Sequence, residues 1–193
     1  MSWGLYQRIR DLHDTGDLDG ALTLITASAS ELTDIRSHVA VLEASCYEKQ
    51  GKTERALQIL ETQVQGGTDN FWIYYKIAET YRNLGRRDDA LNAYRRAHAL
   101  QGWPESGEKS YVFTHDFFSA NIPVWSRWFG EFIVAAPIRC LEIGSWQGTS
   151  STWLLDKIVS KRQGLLTCID TFTGSSEHQA WLGVLGQSLE RSE

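Results

Sequence analysis

Arg139-Cys140-Leu141-Glu142-Ile143-Gly144-Ser145-Trp146-Gln147-Gly148-Thr149-Ser150 reads as a buried strand that ends in an acidic residue and turns through glycines into a helix. Ile138 to Ile143 is an apolar run, broken by Arg139, of the kind found in strands covered on both faces. Gly144 permits torsions that other residues resist, and Gly148 lets the backbone approach a ligand or a helix closely. Ser150 or Ser151 is placed to cap a helix running through Trp153, Leu154, Leu155, Ile158 and Val159. Such a segment presents backbone N–H groups and a carboxylate at the carboxyl end of a parallel strand, where open α/β sheets bind ligands. Glu142 is costly to bury there without donors or a ligand.

Gly164 ends the crossover, and Leu165-Leu166-Thr167-Cys168-Ile169-Asp170 reads as a second strand that also ends in a carboxylate. Together they predict a right-handed βαβ unit. Asp170 lies 26 residues after Gly144, about where an acid at the end of the second strand accepts hydrogen bonds from ribose hydroxyls. Glu142 is too close to the glycine turn for that role, and beside a dinucleotide it repels the phosphates. A ligand with an ammonium or sulfonium group tolerates it, which favours S-adenosylmethionine over NAD.

Leu141 to Ser150, followed by Cys168-Ile169-Asp170-Thr171-Phe172-Thr173-Gly174, resembles the class I S-adenosylmethionine-dependent methyltransferases. Within them it looks like the small-molecule O-methyltransferase-like branch, with its Glu-Ile-Gly-Ser-x-x-Gly-x-Ser motif. The resemblance implies that Glu142, Gly144, Ser145 and Gly148 line the methionine side of S-adenosyl-L-methionine, with Asp170 on the ribose. Trp146, Ser150 and Thr171 complete the candidate cofactor set. Trp146 stands where many methyltransferases have a middle glycine. The acceptor implied is a small-molecule or sugar hydroxyl, and no catalytic base or metal set is visible. The alternatives to this favoured reading are a different Rossmann-like cofactor fold and a purely structural βαβ unit.

The first half carries a repeat. Gly16-Asp17-Leu18-Asp19-Gly20-Ala21-Leu22, Gly51-Lys52-Thr53-Glu54-Arg55-Ala56-Leu57 and Gly85-Arg86-Arg87-Asp88-Asp89-Ala90-Leu91 are versions of one segment, with glycines 35 and 34 residues apart. Each unit predicts a helix, a glycine-centred turn and a second helix. In the third, Tyr74, Ile77, Ala78 and Tyr81 share one face, and Ala90, Tyr94 and Ala97 another. The second shows Ala44, Tyr47, Ala56 and Leu60, and the first Leu12, Ala21 and Ile25. Period, turn and small/large pattern resemble the tetratricopeptide repeat family over residues 2–103. That family binds peptides or partner proteins on a concave face, although docking of the repeats on their own downstream domain fits equally well.

Gly102-Trp103-Pro104-Glu105-Ser106-Gly107-Glu108 holds breakers that end the last repeat helix. Tyr111 to Trp125 is dense in aromatics and is expected to pack. Asn121 and Pro123 mark a turn into a helix through Trp125, Trp128, Phe129, Phe132 and Ile133, which Pro137 stops. His115 and Asp116 have either a capping role or a place at the ligand's edge. Ser175 to Ser188 reads as a loop and one helix, with Trp181, Leu182, Leu185 and Leu189 near one face.

Taken together, the fold class is α/β with an all-α N-terminal half. Residues 1–103 are helical hairpins, 104–137 an aromatic lead-in, and 138–193 the start of a Rossmann-like S-adenosylmethionine-binding domain. Two strands fall short of the family's seven, so the chain reads either as a fragment or as a degenerate remnant, with little or no turnover. The alternative is a non-catalytic scaffold of repeats with a vestigial cofactor fold.

At 42% hydrophobic and 22% charged, the 193-residue chain has a globular composition. Its net charge of −5 argues against a nucleic-acid partner. No apolar run approaches a membrane span, and the N-terminus lacks signal-peptide order, so cytoplasm is expected. Three cysteines in no metal-ligand spacing are expected to be reduced, mostly buried thiols. Most of the eight tryptophans follow Trp72, which points to aromatic packing between the two halves rather than a ligand cage.

Overall fold

In the computed structural model, which describes residues 2–132 and 137–171, Gly16, Gly51 and Gly85 all take the left-handed backbone, with φ of 88°, 75° and 73°. Each closes a helix with the same pair of hydrogen bonds, which satisfies carbonyls that a helix end leaves open. Gly85 N–H donates to Arg82 O (3.0 Å) and Arg86 N–H to Tyr81 O (2.9 Å). Gly51 and Lys52 repeat this on Glu48 and Tyr47, and Gly16 and Asp17 on His13 and Leu12. The chain reverses at every lock. It thereby pairs α1 (Ser2–Thr15) with α2 (Leu18–Ala27), α3 (Arg36–Lys49) with α4 (Thr53–Gln65), and α5 (Phe71–Asn83) with α6 (Arg87–Leu100).

Small residues let these helices approach. Ala44, Ala56, Ala78, Ala90 and Ala97 are all buried, with Leu60, Ile73, Ile77 and Tyr94 filling the space beside them. Ile9, Ala21, Ile25 and Val39 form a second cluster under the first hairpin. One polar tie crosses from α3 to α5. Buried Thr80 donates its hydroxyl to Glu48 Oε1 (2.7 Å), and Lys76 Nζ lies 2.6 Å from Glu48 Oε2.

Gly102 (φ 85°) ends α6 with the same lock, through Trp103 N–H to His98 O (2.9 Å). The breakers that follow do not start a linker. A short α7 (Glu105–Glu108) forms, and Trp103 is fully buried. Its ring lies 4.8 Å from that of His98 and 6.0 Å from those of Tyr111 and Phe113. Arg95 Nη2 donates to Ser110 O (3.1 Å) and Tyr111 O (3.0 Å). The aromatic plug therefore draws the residues after 103 into the repeat unit, and the chain's division into two units falls between Thr114 and His115.

In the second unit, a 3₁₀ turn at Ser119–Asn121 leads into α8 (Ile122–Phe132), as Asn121 and Pro123 predict. Phe118, Trp125 and Phe129 gather round the buried Trp153, with ring centroids 5.6, 6.0 and 6.1 Å away. Each of these aromatic clusters lies within its own unit. β1 (Arg139–Ile143) is followed by α9 (Thr149–Leu154), a π turn at Leu155–Val159, a 3₁₀ turn at Ser160–Arg162 and β2 (Leu165–Ile169). The strands pair in parallel, from Arg139 with Leu165 to Ile143 with Ile169. Gly164 is required at the return, because a Cβ there would lie 2.7 Å from Ile138 O.

Burial corrects one expectation. The strands are covered on one face, not both: Leu141, Ile143, Leu165 and Ile169 are 54–77% exposed, while Cys140, Glu142, Leu166 and Cys168 are half-buried. One helical layer and two strands leave the other face open among the described residues. Leu155, expected in the buried stripe of the crossover, is also exposed. Ile133 and the helix expected at Ser175 to Ser188 lie outside the described residues.

Trp103→Ala removes the centre of the aromatic plug and should lower the unfolding free energy by about 3–5 kcal/mol. Chemical denaturation of the whole chain measures this, and an unchanged midpoint would contradict the packing described.

Candidate functional site

The turn after β1 passes through three left-handed residues, Gly144 (φ 82°), Trp146 (45°) and Gly148 (77°). Trp146 thus adopts the conformation that glycine favours at that place, at a steric cost. Two features hold it. Its N–H, together with that of Ser145, donates to Asp170 Oδ2 at 2.9 and 2.7 Å. Its ring packs against Phe117 and His115, at 4.9 and 5.5 Å between centroids. Gly144 N–H extends the ladder to Ile169 O (2.8 Å).

Asp170, expected on a ribose, here joins the end of β2 to the turn after β1. Glu142 is satisfied from the other side: Ser150 and Ser151 both donate their hydroxyls to it, and Cys168 Sγ lies 3.5 Å away. The expected serine cap is therefore corrected. Gly148 is the N-cap of α9 with no side-chain cap bond, because the first turn of the helix lies over the sheet and its serines reach the carboxylate instead. Thr152 donates back to Gly148 O.

Two buried hydroxyls at this turn, Ser145 Oγ and Thr149 Oγ1, have no hydrogen-bond partner among the described residues. Thr149 escaped the sequence reading; its place just after Gly148 was the available signal. A Cβ at Gly144 would meet open space. The turn therefore fits a polar ligand approaching its backbone, through the Ser145 and Thr149 hydroxyls. Thr171 follows Asp170 in an exposed position.

Asp116 proves structural. It is buried, and its Oδ1 accepts from Phe118 N–H (2.9 Å) and Ser119 N–H (2.8 Å), capping the 3₁₀ turn. His115 lies against Trp146, and its N–H donates to Gln147 Oε1 (3.4 Å). Burial pushes the thiols of Cys46 and Cys140 up, away from the reactive thiolate. No group of three or more metal-ligating side chains occurs among the described residues.

The helical hairpins of the first unit define a repeat array. Residues 73–101, which span α5 and α6 from Ile73 onward, match the tetratricopeptide repeat family. Repeats of this kind commonly serve protein–protein interaction. No curated protein matches the chain significantly. No helix among the described residues is long and apolar enough to cross a membrane.

Gly144→Ala tests the turn. Its Cβ meets nothing, so the cost is conformational, about 1–2 kcal/mol for a left-handed alanine. Denaturation midpoints read it, and a neutral substitution would contradict the φ assigned.

Proposed function

We propose that the second unit is the cofactor half of a class I S-adenosylmethionine-dependent methyltransferase and that the repeats are its protein-docking module. The observation that carries this reading is the glycine turn between parallel strands, with acids at both strand ends and two unpartnered buried hydroxyls beside it. S-adenosyl-L-methionine would supply an electrophilic methyl on sulfur. Ser145 and Thr149 would bind the cofactor through their hydroxyls, and Gly144 and Gly148 would admit it to the backbone. Asp170 orients the turn by holding the Ser145 and Trp146 amides, and its place at the end of β2 supports a ribose contact. Glu142, fixed by Ser150 and Ser151, sets the start of α9. Trp146 walls the turn, and Thr171 stands at its rim. Methyl transfer depends mainly on aligning the acceptor with the methyl, here proposed to be a hydroxyl of a small molecule or sugar.

A second reading, a non-catalytic scaffold, is favoured by the repeat match and by the internal satisfaction of both acids. Titration of S-adenosylhomocysteine into the whole chain separates the two. The cofactor reading predicts a Kd on the order of micromolar, weakened about tenfold or more in Ser145→Ala or Thr149→Val. A flat titration from a folded sample would leave the scaffold.

A further inference from the structure

His13 in α1, Asp14 beside it and Ser45 in α3 form a chain of hydrogen bonds apart from the glycine turn. His13 Nδ1 lies 2.8 Å from Asp14 Oδ1, and His13 Nε2 lies 2.9 Å from Ser45 Oγ. The direction of the bonds follows from the acid. A carboxylate only accepts, so neutral His13 carries its proton on Nδ1. Its Nε2 is then a bare acceptor, and the Ser45 hydroxyl donates to it. A serine O–H aimed at the lone pair of a carboxylate-oriented imidazole is the arrangement in which serine becomes a nucleophile, on whatever fold it occurs. The hydrogen bond from His13 also holds the Asp14 carboxyl below its usual range, so it stays ionised. Asp14 is open to solvent, whereas the His13 side chain is only 12% exposed.

Ser45 also lines a cavity of about 220 Å³, together with Val41, Leu42, Trp72, Tyr75, Lys76 and Glu79. Those walls are mainly apolar and large enough for a short acyl chain or an aryl ring. Because Ser45 lies inside α3, the backbone N–H groups around it are engaged in the helix. A developing oxyanion would have to draw on Lys76, whose ammonium is on the same cavity but already paired with Glu48 (2.6 Å) and Glu79 (3.3 Å). One well-placed oxyanion donor is worth about 10²–10³ in rate, so turnover without backbone donors is slow.

We propose that Ser45, His13 and Asp14 form an acyl-transfer site that hydrolyses activated esters with small apolar acyl or aryl groups. Ser45 Oγ bonds to the acyl carbon while its proton passes to His13 Nε2. The ester C–O bond breaks, and the leaving alcohol takes that proton. Water then attacks the acyl-serine with His13 as base, releasing the acid and restoring Ser45. Ser45 and His13 are the catalytic residues, and Asp14 is a positioning residue.

The test treats the whole chain with an alkyl fluorophosphonate, which phosphonylates an activated serine and releases fluoride, followed by peptide mapping. A single adduct on Ser45 is expected, absent in Ser45→Ala. Labelling should slow about tenfold or more in His13→Gln, as for loss of a general base. Asp14→Asn should slow it as well, because an amide can turn the imidazole to the wrong tautomer, while Asp14→Glu should restore it. Hydrolysis of p-nitrophenyl acetate should fall in parallel in Ser45→Ala. Circular dichroism establishes that each variant is folded. No adduct on Ser45, or equal labelling of wild type and His13→Gln, would overturn the proposal and leave these bonds as a tie between α1 and α3.

Discussion

One carboxylate oxygen, Asp170 Oδ2, organises the second unit by accepting two successive backbone N–H groups from the turn after β1. Hydrogen bonds to a charged acceptor are worth about 1.5–3 kcal/mol each. A left-handed non-glycine residue costs about 1–2 kcal/mol. The pair of bonds therefore outweighs the strain at Trp146 and fixes the turn in a shape that the sequence at 146 resists. From that fixed turn, Gly148 starts α9 where Ser150 and Ser151 can reach Glu142. The two acids thus hold the two ends of one short loop.

The first unit is held by a different means. Its helices end in repeated glycine locks, and its interior is built from alanines that let neighbouring helices touch. Such an array grows by adding like pairs, and here it closes on an aromatic plug. Trp103, Tyr111 and Phe113 cover the last helix around its buried His98, which is tied to Ser106 Oγ at 2.7 Å. A terminal repeat without such a cover would expose the apolar side of its last helix.

The repeats were legible because glycine spacing and the small/large alternation are local signals that carry directly into helix pairs. The glycine turn, both strands and the helix after Pro123 were legible for the same reason. The packing of Tyr111 and Phe113 was legible in their aromatic stretch, but the place of Trp103 at the centre of the plug was not, because Gly102, Pro104 and Gly107 look alike in a linker and in a buried reversal. One-sided burial of β1 was hidden too, since an apolar run reads the same under one layer or two. The serines at 150 and 151 fit a helix cap, and only the lie of α9 over the sheet brings them to Glu142. Ser45 and His13 come from different hairpins, 32 positions apart, and no short motif joins them.

The claim that Asp170 shapes the turn after β1 is tested most directly by amide hydrogen exchange at Ser145 and Trp146. The account predicts that both amides are protected in the wild-type chain and become fast-exchanging in Asp170→Ala, while the amides of β1 paired with β2 stay slow. Equal protection of Ser145 and Trp146 in the two proteins would contradict it.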